Sequence, residues 1–167
     1  MKADGRLRAG HDKGRIYKIF PDSVKLDKKA NLAGKGPQAL AKLMDSPNGW
    51  QRDTAHMMLT WLDKEEQKKA IPNLHQVLNS QFPAARAQAL SALNDLDILR
   101  PKAMQKGLED KHPGVRRNAL RVGGGLMNQN SELGHMVVSL LDDEDAHVQR
   151  RAAYALGYWD DPTAGQA

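Results

Sequence analysis

One short phrase constrains this chain more than any other feature, because it occurs four times. Its cleanest copy is Pro113-Gly114-Val115-Arg116-Arg117-Asn118-Ala119-Leu120. It returns as Gln51-Arg52-Asp53-Thr54-Ala55, as Ala85-Arg86-Ala87-Gln88-Ala89-Leu90 and as Val148-Gln149-Arg150-Arg151-Ala152-Ala153. Aligned on the small residue, Ala55, Ala89, Ala119 and Ala152 fall 34, 30 and 33 positions apart. A period of that size marks a solenoid, in which each unit is one supersecondary piece that buries its apolar face only against its neighbours. No single unit is large enough to enclose an active site, so function belongs to the surface the units share.

The apolar residues say which kind of solenoid. They make up 40% of the chain while aromatics are only 5%, and Ala and Leu dominate, which suits closely packed helices rather than sheets. Helical spacing then places four hairpins over residues 36–167. The first pairs Pro37 to Met44 with Trp50 to Leu62. The second pairs a helix carrying Ile71, Leu74, Val77 and Leu78 with Ala85 to Leu96. The third pairs a helix from Pro101 through Leu108 with Val115 to Val122. The fourth pairs a helix carrying Leu133, Met136, Val137, Leu140 and Leu141 with Val148 to Leu156. Prolines at first helical turns and breaks such as Asp45-Ser46-Pro47-Asn48-Gly49 punctuate them. Gly123-Gly124-Gly125 reads as the end or a kink of its helix, since each glycine costs a helix about 1 kcal/mol relative to Ala. Leu43, Leu78, Leu108 and Leu141 are expected to share one apolar seam, and Gly157 to cap the last helix.

The N-terminal residues differ. Ile16, Tyr17, Ile19 and Phe20 lie between Gly14 and Pro21, which is a strand signal. A lone strand is expected to belong to a neighbouring β domain that covers it. Residues 1–21 are therefore expected to be the remnant of such a domain, and residues 22–35, with four lysines and no apolar stripe, to be a linker.

The net charge of +5 is not evenly spread. Residues 1–35 hold ten Lys and Arg against four Asp, and the remaining 132 residues carry 15 basic against 16 acidic side chains. The helical array thus has no overall positive field, which argues against nucleic acid as its partner. Absence of Cys excludes disulfides and thiolate metal sites within this sequence. No stretch approaches the roughly 18 apolar residues of a membrane span.

Candidate chemistry is sparse. His11, His56, His75, His112, His135 and His147 form no pair at helical spacing and no short cluster, so they are expected to be structural or at the surface. Asp142-Asp143-Glu144-Asp145 offers oxygen ligands but lacks the alternation that folds them around a cation, and it reads as a solvated turn at a helix start. The three glycines follow a helix and precede no Lys-Ser/Thr, unlike a phosphate cradle. Trp50, Trp61 and Trp159 are expected to anchor packing between hairpins. Arg117, Arg121, Arg150, Arg151 and Tyr154 fall on the outward side of second helices. They could form a partner-binding strip or an ordinary solvated face. No catalytic, cofactor-binding or metal-ligating residue emerges.

The turn Asp110 or Asp143, the following Val115 or Val148, and Ala119 or Ala152 four residues on resemble the HEAT repeat. That resemblance implies antiparallel helix pairs stacked in a right-handed superhelix with second helices on the concave side. It also implies a ladder in which Arg52, Arg86 and Arg116 meet turn carboxylates such as Asp110 and Asp143, weakened in unit four by Gln149. Gly10-His11-Asp12-Lys13-Gly14-Arg15-Ile16-Tyr17-Lys18-Ile19, followed by Pro47-Asn48-Gly49-Trp50-Gln51-Arg52-Asp53-Thr54-Ala55, further resembles the PVC-type haem-binding CxxCH proteins, or membrane-bound dehydrogenases. In those, a β-propeller precedes HEAT-like repeats and a cytochrome c domain follows. The resemblance implies a non-catalytic scaffold within a larger sugar- or alcohol-dehydrogenase-like haem protein of the periplasm or cell envelope, with neighbouring domains as partners. The haem motif and the propeller's catalytic residues have no matching positions here, so no cofactor is expected on this chain. The competing expectation is a freestanding nucleic-acid-binding HEAT protein of the alkylation-repair type.

Overall fold

In the computed structural model the described residues are 21–23 and 31–166. The expected strand over Ile16–Phe20 and most of the 1–21 segment lie outside them. The chain divides between Ala30 and Asn31 into two units, the second of which carries the described helices. That second unit begins inside the stretch expected to be linker, because Leu32 is buried.

The unit is all-α, a stack of helical hairpins. Its eight α-helices are α1 (Pro37–Leu43), α2 (Gly49–Thr60), α3 (Lys64–Val77), α4 (Pro83–Asp95), α5 (Pro101–Leu108), α6 (Pro113–Gly123), α7 (Ser131–Ser139) and α8 (Ala146–Leu156). Local chemistry sets their starts. Proline opens α1, α4, α5 and α6, where its missing N–H has no partner to lose. Elsewhere a side chain accepts from an orphan amide: Asn48 from Gln51, Asp63 from Glu66, Asn130 from Glu132, and Asp145 from His147 and Val148.

Second helices α2, α4, α6 and α8 form one row, and the first helices pack as α1 on α3 and α5 on α7. The register alanines lie in the interior of the stack. Ala55, Ala89, Ala119 and Ala152 are each 0% exposed, so the repeated small residue marks a buried position in every unit. Gly107 extends this logic between rows: a Cβ there would lie 2.7 Å from Leu90 Cδ1 and 2.8 Å from Ala119 Cβ.

The apolar seam runs through Leu40, Leu74, Met104 and Val137, all at most 1% exposed. Of the four leucines expected to define it, Leu78 and Leu108 are buried, while Leu43 and Leu141 are half-buried. Leu141 lines a hollow of about 750 Å³ at the edge of the fourth unit, together with Ala153 and Leu156. The glycine triplet ends α6 at Gly123, and the chain continues as a 3-10 turn over Gly124–Gln129. Gly157 does occupy the C-cap of α8, but with φ −62° and not the left-handed conformation.

Packing is uneven along the stack. Between units two, three and four the second helices pack closely, α4 on α6 and α6 on α8. Between units one and two the pattern reverses: α1 lies tightly on α3, and α2 barely touches α4. Polar side chains span that wider interval. Arg52 Nε donates to Gln88 Oε1 at 3.1 Å, and Gln88 Nε2 donates to Asp53 Oδ1 at 2.9 Å.

His56 spans the same interval. Its Nε2 lies 3.3 Å from Asp95 Oδ2, yet without hydrogen-bond alignment, and is itself buried. Burial lowers the imidazole below its ordinary value of 6.5, with Asp95 and Asp53 opposing. The fold thus favours neutral His56, and below pH 6.5 the unfolded chain binds more protons than the folded one. The stability that neutral His56 contributes is complete above 6.5 and is lost as pH falls through the lowered value. Thermal unfolding from neutral to mildly acidic pH should therefore show a falling melting temperature that flattens in His56→Gln; an unchanged slope in the variant would remove His56 as its cause.

Candidate partner-binding groove

Two sets of arginines project from the second helices, and their surroundings separate them. The first set points into the turns. Arg86 Nη1 donates to the carbonyl of Ser80 at 2.8 Å, and Nε and Nη2 grip Asp110 at 2.6 and 2.7 Å. Arg116 repeats this one unit on: Nη1 donates to the Asp110 carbonyl at 2.9 Å, and Nε and Nη2 grip Asp143 at 2.7 Å each. Glu144 adds an outer contact at 3.3 Å. Burial pushes the Asp110 and Asp143 carboxyls up, but the guanidiniums and the amides of His112 and Asp145 outweigh it and hold both below the ordinary value of 3.8.

Each arginine thus bonds the carbonyl six residues behind it and the carboxylate of the next unit's turn. That rule corrects the expected ladder at Arg52. Its Nη1 does reach back to the Ser46 carbonyl at 2.7 Å, but the next turn carries Ser80 where Asp110 and Asp143 stand. Arg52 turns to Gln88 instead. Gln149 keeps the backward bond, to the Asp143 carbonyl at 2.6 Å. The described array therefore has two rungs.

The second set is the expected strip. Arg117 and Arg121 lie one helical turn apart on α6, and Arg150 and Arg151 lie on α8. The close packing of these helices brings all four to one groove of about 440 Å³. Ala87, Gly114 and Asn118 complete its lining. Tyr154 is outside that lining but stands on α8 beside it, 64% exposed, with Tyr158 at 68%.

Sequence reasoning missed the residues that arrange the groove. Asn118 Nδ2 donates to the Ala87 carbonyl at 2.7 Å and to Ser91 Oγ at 3.1 Å, bridging α6 to α4. Its Oδ1 then accepts from Arg121 Nε at 3.1 Å and Nη2 at 3.0 Å, and Ser91 Oγ also accepts from Nη2 at 3.0 Å. Arg121 is thus held by neutral acceptors that leave its charge uncompensated. Among the described residues no carboxylate lies within ion-pair distance of Arg117, Arg121, Arg150 or Arg151. The signal that could have found Asn118 is its register: like Gln88, it immediately precedes the buried alanine.

The remaining candidates find structural explanations. In the acidic turn, Asp143 pairs with Arg116 and Asp145 caps α8. Among the described residues no group of three His, Asp or Glu side chains is placed to hold a metal ion, and no helix is long and apolar enough to cross a membrane. His112 Nδ1 accepts from Gly114 N at the start of α6. Trp159 is buried at 6% exposure, edge-on to His135 with ring centroids 5.3 Å apart. Trp50 and Trp61 are not packing anchors: they are 59% and 72% exposed, at the first turn and the C-cap of α2.

No family model matches the chain, and no curated protein does. Among solved structures it is similar to the crystal structure of an engineered protein, at 18% identity and a TM-score of 0.47. The match covers 73% of this chain and spans 61% of that protein's length.

Proposed function

We propose that this helical stack is a non-catalytic scaffold that docks a protein partner or a neighbouring domain on its second-helix side. The observation that carries this reading is the groove between α6 and α8, built jointly by neighbouring units and lined by four arginines that find no counter-charge among the described residues. Arginine and tyrosine are favoured anchors in protein interfaces, and Tyr154, one turn beyond Arg150 on α8, is exposed. The resemblance of the Gly10–Ile19 and Pro47–Ala55 stretches to PVC-type haem proteins adds the setting: an interior segment of a larger dehydrogenase-like protein, with propeller and cytochrome c domains as its neighbours.

The chain alone should oxidise neither sugars nor alcohols in the presence of an artificial electron acceptor; turnover by the purified chain would refute the scaffold reading. A second reading, a nucleic-acid-binding protein of the alkylation-repair type, draws on the same arginines. It is weaker because the second-helix side also carries exposed Asp53 and Asp95, and a duplex-binding groove needs continuous positive charge to follow the phosphates.

A further inference from the structure

The four units place a comparable residue immediately before each register alanine: Thr54, Gln88, Asn118 and Arg151. In units two and three this residue works as a bridge to the preceding second helix. Gln88 on α4 bonds Arg52 and Asp53 of α2, and Asn118 on α6 bonds Ala87 and Ser91 of α4. Each bridge joins donors to acceptors already present on the neighbour. In unit four the bridging position is Arg151, and the residues it meets across the groove include Arg117 and Arg121. Its Nε is buried with no hydrogen-bond partner. A position that elsewhere closes a hydrogen-bonded joint here adds a further cation to a cluster of cations.

A buried unpaired donor and converging like charges both oppose folding, so this arrangement persists at a cost within the isolated chain. The ladder arginines show what the same helices do when an arginine serves stability: a turn carboxylate grips each of Arg86 and Arg116 from both sides. The groove arginines receive no such partner from the described residues. Asn118 and Ser91 nevertheless fix the orientation of Arg121, which lowers the ordering cost of binding.

Resting on the scaffold reading, we propose that this groove is the seat of an acidic peptide segment of a protein partner, whose carboxylates supply the counter-charges missing at Arg117, Arg121, Arg150 and Arg151. Guanidinium forks match carboxylates in bidentate geometry. Among the described second helices the unpaired arginines cluster in units three and four, with exposed Asp53 and Asp95 toward the other end. That length suits a short acidic stretch and would repel a polyanion running the length of the stack. Tyr154, exposed one turn beyond Arg150, lies where an apolar residue next to the acidic stretch would settle.

The test is fluorescence anisotropy with a labelled peptide of about a dozen residues, rich in Asp and Glu and carrying one Leu and one Tyr. The wild-type chain should bind it at low salt and progressively more weakly as salt rises. The double variant Arg121→Gln/Arg150→Gln and the single variant Arg151→Gln should each weaken binding about tenfold or more. Lys102→Gln, which removes an exposed charge on α5 outside the groove, should leave it unchanged. Thermal melts of each variant establish that loss of binding is not loss of fold. Three results would overturn the assignment: no peptide binding by the wild type at low salt, equal weakening by Lys102→Gln, or a DNA duplex that binds tighter than the peptide and displaces it from the same arginines. Failure of the peptide leaves the scaffold reading standing, since that reading falls only to turnover by the chain itself.

Discussion

Arg116→Ala is expected to destabilise the stack by about 3–5 kcal/mol, the usual result of removing one partner from a buried ion pair. Both members of the rung are nearly inaccessible, at 9% exposure for the Arg116 side chain and 5% for Asp143. Truncation strands the Asp143 carboxylate without its two guanidinium donors, leaving the Asp145 amide, and also frees the Asp110 carbonyl. Chemical denaturation should show the loss as a shifted midpoint. Replacing the pair together, by Arg116→Met with Asp143→Leu, should recover much of it, because the larger cost lies in the uncompensated charge and not in the missing attraction. A single variant within about 0.5 kcal/mol of the wild type would show that the rung is dispensable.

The second large effect is expected from one added methyl group. A Cβ at Gly134 would fall 2.3 Å from Trp159 Cε2 and 2.4 Å from Cζ2. The indole is buried and lies edge-on to His135, so it has little room to withdraw. Gly134→Ala should cost about 1–3 kcal/mol by overpacking. Two other glycines serve as internal controls. At Gly123 the intruding atoms belong to the flexible end of Met104, which can rotate away, and at Gly125 nothing lies within 4 Å. The order of destabilisation in denaturant titrations should therefore be Gly134→Ala first, Gly123→Ala second and Gly125→Ala last; equal midpoints for the first and last would contradict the packing described.

The repeat was legible because burial imposes the same demand four times: the register position is fully buried in every unit, and in unit three it abuts Gly107 of the first helix, so a small residue recurs there. The ladder was legible in part. Arg86 and Arg116 find their carboxylates because Asp110 and Asp143 stand six residues before the next unit's arginine or glutamine. Ser80, in plain view at the equivalent position, explains why Arg52 does not. Helical spacing also placed the groove arginines on one side, since Arg117 and Arg121, like Arg150 and Tyr154, are separated by one turn. That Asn118 and Ser91 hold Arg121 was beyond reach, because it depends on how α4 and α6 slide past each other, and no single helix encodes that offset. Trp50 and Trp61 were misjudged for a related reason. Bulk and aromaticity favour burial in general, yet whether a neighbour stands close enough to cover them is decided by packing between whole units.

The reversal of packing between the first two units has a mechanical consequence. Where second helices press together, α4 on α6 and α6 on α8, any change of angle must open close-packed contacts, and such joints are stiff. Where Gln88, Arg52, Asp53 and His56 reach across a wider interval, long side chains can follow a change of pitch by altering their torsions. Elastic compliance is thus concentrated at one joint of the stack, and an incoming ligand that strained the array would bend it there, while the face of the arginine groove formed by α6 and α8 kept its shape.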